Sequence, residues 1–495
     1  MRRRFPFPGH SSLRSSILSK GGSAVALFCL LFLASCTPAP FSASPLLLPQ
    51  SFSASGPAEL TGQWWREFND PLLNGLVERA FQGNFTLLAA WSRLAQAEAL
   101  ARKAGAGLRP GLDGEAVPEH ERRDDGGSSF STESLSLRLV AAYELDLWGR
   151  LRSQRDAAAL DARASREDLQ AAAQTLAAQV AGTWYQLVEQ REQLDLLKKQ
   201  SAALERMLAL VVQRFRRGQV SAADLLRQRQ LVEANQGERA LAEAEEQVLV
   251  HRLAILLGQP PTGGLGREGA GLADLPSLPA TGLPAELIQR RPDLRKAWLA
   301  VQAADRRAAT ALADRFPRFT LSASLGTEGG EGASLFGNWL ANLAAGLAAP
   351  LLDGGERRAE VERSRAATRE ALHAYGQAVL TALGEVEDAL AREERQQRYV
   401  TSLASQLGSA ELLYDRVRDH YLHGSLDYLR VLDAVLDKHE LERTLLIARR
   451  QLLQYRIDLS RALAGGVLPP FPPENFRPDT AHEVSQPLKE GKPPS

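Results

Sequence analysis

The first group in this chain fit for covalent chemistry is the thiol of Cys36, and its surroundings say what that chemistry would be. It follows Leu33-Ala34-Ser35, where the small Ala34 and Ser35 let a peptidase approach the backbone, and an apolar run over residues 24–34 (AVALFCLLFLA). Arg2, Arg3, Arg4, Arg14 and Lys20 form a basic leader, and no Asp or Glu occurs in the first 58 residues. The apolar run has about 11 residues, too few to cross a hydrocarbon core that needs about 20, so it reads as the h-region of a signal peptide. Residues 1–35 are expected to be a lipoprotein signal peptide, with Cys36 taking a diacylglycerol thioether and an N-palmitoyl chain. The other cysteine, Cys29, lies inside the leader, so neither a disulfide nor a cysteine-ligated metal is expected.

Other candidate chemistry is thin. Gly264, Gly266 and Gly269 match GxGxxG, but no strand precedes them and a Pro-rich linker follows, whereas a nucleotide fingerprint needs a strand before and a helix after. His420 and His423 are three apart, a spacing that can put two metal ligands on one helical face. No cysteine is near them, and the first half of the chain carries Arg214 and Arg217 in their places, so a surface pair is expected. There is no P-loop, nucleophile elbow or HExxH. The chain is expected not to be an enzyme, and to need no cofactor beyond the lipid on Cys36. Lys plus Arg and Asp plus Glu stand at 59 each, so no basic domain points to nucleic acid.

The elements that must position these residues come in duplicate. RFRRGQVSAADLL around Phe215 returns as HYLHGSLDYLRVL around Tyr421, an offset of 421 − 215 = 206 residues. The same shift lays ELDLWGRLR (144–152) over PLLDGGERR (350–358), and one residue more pairs Trp91 with Trp298 and Pro110 with Pro317. A duplication on this scale sets the architecture: one helix-and-strand unit built twice and packed against itself. The expected organisation is a lipidated extended segment (36–60), a first repeat (61–260), a linker (261–282), a second repeat (283–468) and a Pro-rich disordered tail (469–495). The first repeat carries a strand pair over about 111–147 and a long helical hairpin over about 150–258, and the second has them over about 318–351 and 355–464.

Over residues 134–147 the sequence alternates, with Leu135, Leu137, Leu139, Ala141, Tyr143, Leu145 and Leu147 against Ser134, Ser136, Arg138, Glu144 and Asp146. Such a strand has one greasy and one wet face, and it has the length of a membrane-spanning strand, about 9–11 residues. Trp339, Leu343, Leu347 and Leu351, and separately Phe319, Leu321, Ala323 and Leu325, repeat the pattern. The smallest membrane barrels need about eight strands, so four per chain can close one only if several chains share it. No proline falls between Pro118 and Pro260 or between Pro350 and Pro469. Val180, Leu187, Leu194, Leu208 and Phe215 form one heptad row, and Leu176, Leu197, Leu204 and Val211 a second. About 65 residues of helix make a rod of roughly 100 Å. The rods break at Arg217-Gly218 and at His423-Gly424, where glycine permits the turn.

With these residues in view, the chain resembles the outer-membrane factors (TolC/OprM-like) of tripartite efflux and secretion systems, in particular their NodT-type lipoprotein branch. The resemblance spans about residues 61–468 and is carried by WWREFNDPLLNGLVERAFQGN (64–84), LPAELIQRRPDLR (283–295) and YLHGSLDYLRVLDA (421–434). It implies a mainly α fold with β: a homotrimer whose shared twelve-stranded outer-membrane barrel continues into a twelve-helix periplasmic barrel. It further implies passive conduction from a periplasmic adaptor and an inner-membrane transporter, of RND type, with drugs or other small molecules as cargo. Thr37 after the cysteine, in place of the Asp that retains such lipoproteins at the inner membrane, implies the outer membrane of a Gram-negative cell.

By motif match, Asp224 and Asp433 fall on pore-facing acids at the two helix tips, Tyr421 and Arg430 on a surrounding gate network, and Arg217, Gly218, His423 and Gly424 on the adaptor-facing turns. Arg430 stands where relatives often carry another acid, which leaves the number of acid rings open. The competing expectations are a coiled-coil envelope scaffold without membrane strands and, among channels, type I secretion or metal efflux.

Overall fold

The computed structural model describes residues 48–58, 62–124, 126, 129–261, 271–330 and 337–463. The signal peptide, Cys36, the glycines at 264, 266 and 269 and the Pro-rich tail lie outside them. A 3-10 turn, Trp64–Phe68, leads to helix α1 (Pro71–Gly83) and helix α2 (Phe85–Ala106). Strands β1 (Gly111–Asp124) and β2 (Ser129–Leu145) precede helices α3 (Arg150–Arg216) and α4 (Ala222–Leu256). The second half repeats the order with α5 (Pro284–Arg290), α6 (Pro292–Ala313), β3 (Arg318–Gly329), β4 (Trp339–Ala348), α7 (Glu356–Leu422) and α8 (Tyr428–Leu463).

The two hairpins join into one antiparallel sheet in the order β1-β2-β3-β4. Its register sorts the side chains into two faces. Leu139 lies opposite Gly114 and Leu325, Ala141 opposite Leu112 and Ala323, and Leu145 opposite Phe319, which itself faces Leu347. On the other face Arg138 lies opposite Glu115, and Val140 opposite Asp113 and Ser324. Leu112, Leu139, Leu343 and Leu347 are exposed, and among the described residues neither a helix nor a second sheet covers their face. A patch of this extent is foreign to a water-facing surface. Along β2 the apolar row runs from Leu135 to Leu145. Ten residue steps of about 3.4 Å, tilted by about 40°, give a band about 26 Å tall, against about 25 Å for the apolar belt of outer-membrane barrels. Trp148 stacks on Phe316 at 4.9 Å and donates through Nε1 to the Pro317 carbonyl at 2.7 Å, an aromatic anchor where the strands meet the helices.

Among the described residues no helix is long and apolar enough to cross a membrane. The long helices form a single layer, with α1 packed on one of its faces. The rods α3 and α7 have 67 residues each, about 100 Å at 1.5 Å per residue. Each is flanked by a shorter stave made of two helices end to end, α4 with α2 and α8 with α6. Asn84 makes the first junction: its side-chain oxygen accepts from Leu87 N at 3.0 Å and its amide donates to Leu256 O at 3.0 Å. The positive end of α2 thus meets the negative end of α4. Arg291, 207 residues later, makes the second junction by donating to Ala462 O at 3.3 Å. Its guanidinium also holds Asp293 at 2.7 Å and Glu385 at 2.8 Å.

A core covers one face of α3 at this level. Trp64, Trp65, Phe68, Val77 and Phe81 pack on Leu169, Ala173, Val180, Trp184 and Val188. Asp70 fixes it, accepting from Leu72 N at 3.0 Å, Leu73 N at 3.1 Å and the buried Trp184 Nε1 at 2.7 Å. These contacts explain WWREFNDPLL residue by residue: aromatic packing, a cap, and Pro71 at the first helical position, which lacks the N–H left unpaired there. Across the layer, Arg456 pairs with Glu393 at 2.6 Å and donates to the carbonyls of Pro276 and Ser277 (2.9 Å for Ser277), fastening the inter-repeat segment to α8. Of the heptad rows, Val180, Leu187, Leu194, Leu197, Leu204 and Val211 are buried, while Phe215 at the tip is exposed.

Gly258 ends α4 with φ +73°, and a Cβ there would lie 2.0 Å from the Gly83 carbonyl oxygen. Gly258→Ala is expected to destabilise the protein by at least about 2 kcal/mol, through left-handed strain and a backbone clash. Gly75, mid-helix with nothing within 4 Å of a built Cβ, is the control, and Gly75→Ala is expected to stabilise by about 0.5–1 kcal/mol. Thermal unfolding of the two variants in one detergent checks the pair.

The paired helix tips as candidate gate

Both long hairpins turn by the same device. At the first tip Gly218 has φ +69°, Gly218 N donates to Phe215 O at 2.9 Å and Gln219 N to Arg214 O at 2.9 Å. At the second Gly424 has φ +77°, Gly424 N donates to Tyr421 O at 3.0 Å and Ser425 N to His420 O at 2.9 Å. This pair of bonds is the Schellman motif, which satisfies the last helical carbonyls and needs a left-handed residue after the cap. Arg217 and His423 are the caps, and both are exposed.

The tips of one protomer are bolted together. Arg214 of α3 donates to Tyr421 O at 3.1 Å and Leu422 O at 2.9 Å, and its guanidinium lies 4.3 Å over the Tyr421 ring. Cationic donors on the final carbonyls of α7 also oppose that helix's negative end. Tyr421 is buried, edge-on to Tyr428 at 5.9 Å, with Val211 and Val431 beside them. The Tyr428 hydroxyl donates to Gln228 Oε1, and Gln228, 1 % exposed, donates to Leu204 O at 2.7 Å. Burial pushes the Tyr428 hydroxyl pKa well up, with Tyr421 and Asp224 adding to the effect. It therefore remains a donor. Arg214, Gln228 and Tyr428 thus link α3, α4, α7 and α8. Sequence reasoning missed Arg214 as a tie and missed Gln228 altogether. A glutamine on a helix carries no signal of burial until its partners are known.

Of the four gate candidates, Tyr421 lies inside this cluster, and the other three are placed as follows. Asp224 is half-buried and forms a capping box: its carboxylate accepts from Ser221 N at 3.1 Å and from Ser221 Oγ at 2.7 Å, and its own N–H donates to Ser221 Oγ at 3.2 Å. Asp427 holds the position of Ser221 in the second tip, its carboxylate accepting from Arg430 N at 3.2 Å as Ser221 Oγ accepts from Asp224 N. Asp433 and Arg430 are exposed, whereas Tyr421 and Tyr428 are buried. The repeat offset of 206 places Arg430 where the first tip has Asp224, and Asp433 where it has Arg227. Each tip therefore carries one acid and one base a helical turn apart, in opposite order. His420 and His423 do not converge: His420 Nδ1 lies 3.1 Å from Ser425 Oγ and His423 Nδ1 2.7 Å from Asp419 O.

Arg214→Ala is expected to cost about 2 kcal/mol, two charge-assisted bonds and a cation–π contact at a half-exposed site. It should also open the turns near 218 and 424 to limited proteolysis. Arg214→Lys, without the fork, should recover less than half of the loss. His439 of α8 supplies a pH test. Burial, opposed by Glu442 and assisted by Lys438 and Arg443, pushes its imidazole down to about 4. The unfolded chain takes up that proton near pH 6.5 while the folded one does not until about pH 4. Stability should therefore be full above pH 6.5 and fall between 6.5 and 4. His439→Gln should flatten that part of a chemical-denaturation series.

Comparison with known proteins agrees with this geometry. The sequence pattern of the outer membrane efflux protein family matches residues 76–259 and again 283–465. The pyoverdine export outer membrane protein OpmQ of Pseudomonas aeruginosa is 32% identical over 459 residues, 88% of this chain and 95% of its own length. Outer membrane protein OprJ of the same organism is 30% identical over 89% of this chain and 95% of its own. The solved outer-membrane channel OprN superposes with a TM-score of 0.80 at 28% identity, covering 87% of this chain and 99% of that one. The greasy four-stranded sheet, the helical rods that continue it and the doubled pattern all place this chain in the outer membrane efflux protein family, whose members are trimeric channels.

Proposed function

We propose that three copies of this chain form the exit duct of a tripartite efflux assembly. Its adaptor would grip the tips at Arg217, Gly218, His423 and Gly424, and its inner-membrane pump, of RND type, would supply the energy. The observation that carries this is the sheet: one greasy uncovered face, two unpaired edges, and direct continuation into 67-residue helices. Three such sheets, β4 of one protomer on β1 of the next, make a closed barrel of twelve strands, within the known range of 8 to 26 or more. Cys36 carries the lipid that holds each chain to the inner leaflet. The cargo is small organic molecules, drugs among them. The likeness to OpmQ, which exports pyoverdine, supports that class.

The gate at the tips closes by attraction between unlike charges. Six tips around the axis alternate between first and second. Asp224 therefore stands beside Arg430 at one level, and Arg227 beside Asp433 at the next. Exposed pairs of this kind contribute about 0–1 kcal/mol each and weaken in salt. Planar-bilayer recordings test both the duct and the gate. Wild type should give small, rare conductance steps, and Asp433→Ala and Arg430→Ala should each give large, frequent ones, as should raised salt. Mutual repulsion of acids predicts the reverse for Asp433→Ala, a tighter closure. Protein that forms folded trimers but never conducts would remove the duct reading altogether.

A further inference from the structure

One recess in this chain has no part in the tips or the barrel. It lies on α3, α4 and α8 at the level where the short staves meet, has a volume of about 620 Å³, and is lined by Gln179, Gln186, Arg252, Gln454, Asp458 and Arg461 among others. It opens on the face of the helix layer opposite the aromatic core. On α3 the core residues Ala173, Ala177, Val180 and Trp184 and the recess residues Gln179, Gly182 and Gln186 point in opposite directions at 100° per residue. On α8, Arg456 faces the inter-repeat segment while Gln454 and Asp458 turn the other way.

The side with the core must be the outside. Twelve helices about 10 Å apart make a ring of axis radius about 19 Å, leaving a lumen of radius about 14 Å. Three copies of α1, the Trp64–Phe68 turn and the inter-repeat segment would fill that lumen. The recess therefore faces the tunnel.

Its charge is unbalanced. Among the described residues neither Arg252 nor Arg461 has a carboxylate within 4.0 Å; Asp458 lies near enough to Arg461 and Arg392 to feel both charges, and Arg392 is itself paired with Asp388 at 3.5 Å. Asp458, the one acid in the recess, accepts from Gln454 at 3.1 Å. Gly182 makes room for that glutamine, since a Cβ there would lie 2.8 Å from Gln454 Oε1. Two forked cations, one engaged acid and three primary amides form a surface suited to carboxylates, which guanidinium grips with two parallel N–H bonds.

Building on the duct reading, we propose that this recess is a way-station for organic carboxylates inside the tunnel, one per protomer, and that it makes the middle of the duct anion-preferring. The three sites are about 24 Å apart at that radius, too far to share one small ligand. Each binds alone and weakly enough to release.

Propane-1,2,3-tricarboxylate is the probe, added on the barrel side of single channels in a planar bilayer, with spermidine as the cationic control. Wild-type steps should be blocked by the tricarboxylate at millimolar concentration and not by spermidine. Arg252→Gln/Arg461→Gln should need about tenfold more or beyond, in line with the loss of charge-assisted contacts. Equal block in both proteins, or none in wild type, overturns the inference and leaves the duct standing. A KCl gradient across wild type alone gives a second measure that needs no variant. Preference for Cl⁻ supports the recess, and preference for K⁺ overturns it. Absence of any steps from folded trimers ends both readings together.

Discussion

Everything in this protein follows from a sheet that cannot exist alone. Strands β1 and β4 end the sheet with backbone donors and acceptors that have no strand partner among the described residues. One face of the same sheet is leucine-rich and uncovered. In water the face would aggregate, and in lipid each open edge group would cost several kcal/mol. Only closure by further copies removes both problems, since it pairs the edges and turns the greasy face to the acyl chains. The oligomer is thus a condition of the fold. The rods inherit the symmetry of the barrel, because each hairpin feeds its helix through a left-handed glycine, Gly149 at φ +75° and Gly355 at φ +92°.

The duplication shows which features chemistry demands and which it leaves open. The tips keep glycine at 218 and 424 because a residue without a Cβ adopts that left-handed turn at least cost. The stave junctions are satisfied by different means, a neutral amide at Asn84 and a buried, doubly paired guanidinium at Arg291. Both supply a donor to the last carbonyls of the stave below. Arg291 needs its carboxylates, since burying its charge unpaired would cost far more than the carbonyl bond returns. That requirement accounts for Asp293 in RRPDLR.

Periodicity made the fold legible in the sequence. Period two in Leu135–Leu145 and the heptads of Leu176–Val211 state which faces are apolar, and the 206-residue offset states that there are two units. Bounds expected near 150–258 and 355–464 correspond to α3 with α4 and α7 with α8. The site was less legible, because motif matching places a residue without showing what it touches. Asp224 reads as a pore acid, yet its carboxylate is occupied by Ser221 in a local cap. Arg214 reads as one more arginine near a turn, yet it holds the carbonyls of a helix some 207 residues away. The recess behind the core gave no signal at all. Its residues are scattered over three helices, and only the side of the layer they occupy sets them apart.

The placement of strong and weak ties decides how such a duct opens. Within a protomer, Arg214, Tyr428 and Gln228 are buried or half-buried and bind both hairpins to each other. Breaking one leaves a buried polar group unpaired, at about 1–3 kcal/mol. The charged side chains at 227, 430 and 433 are exposed, and exposed ionic contacts are worth a fraction of that. An adaptor pressing on the tips therefore meets a stiff four-helix unit with soft edges. The unit should tilt as one body, parting from its neighbours before its own hairpins separate. Under the proposed alternation of tips, whose contacts between protomers are these exposed charges, the pore can widen at the tips without unfolding any part of the chain.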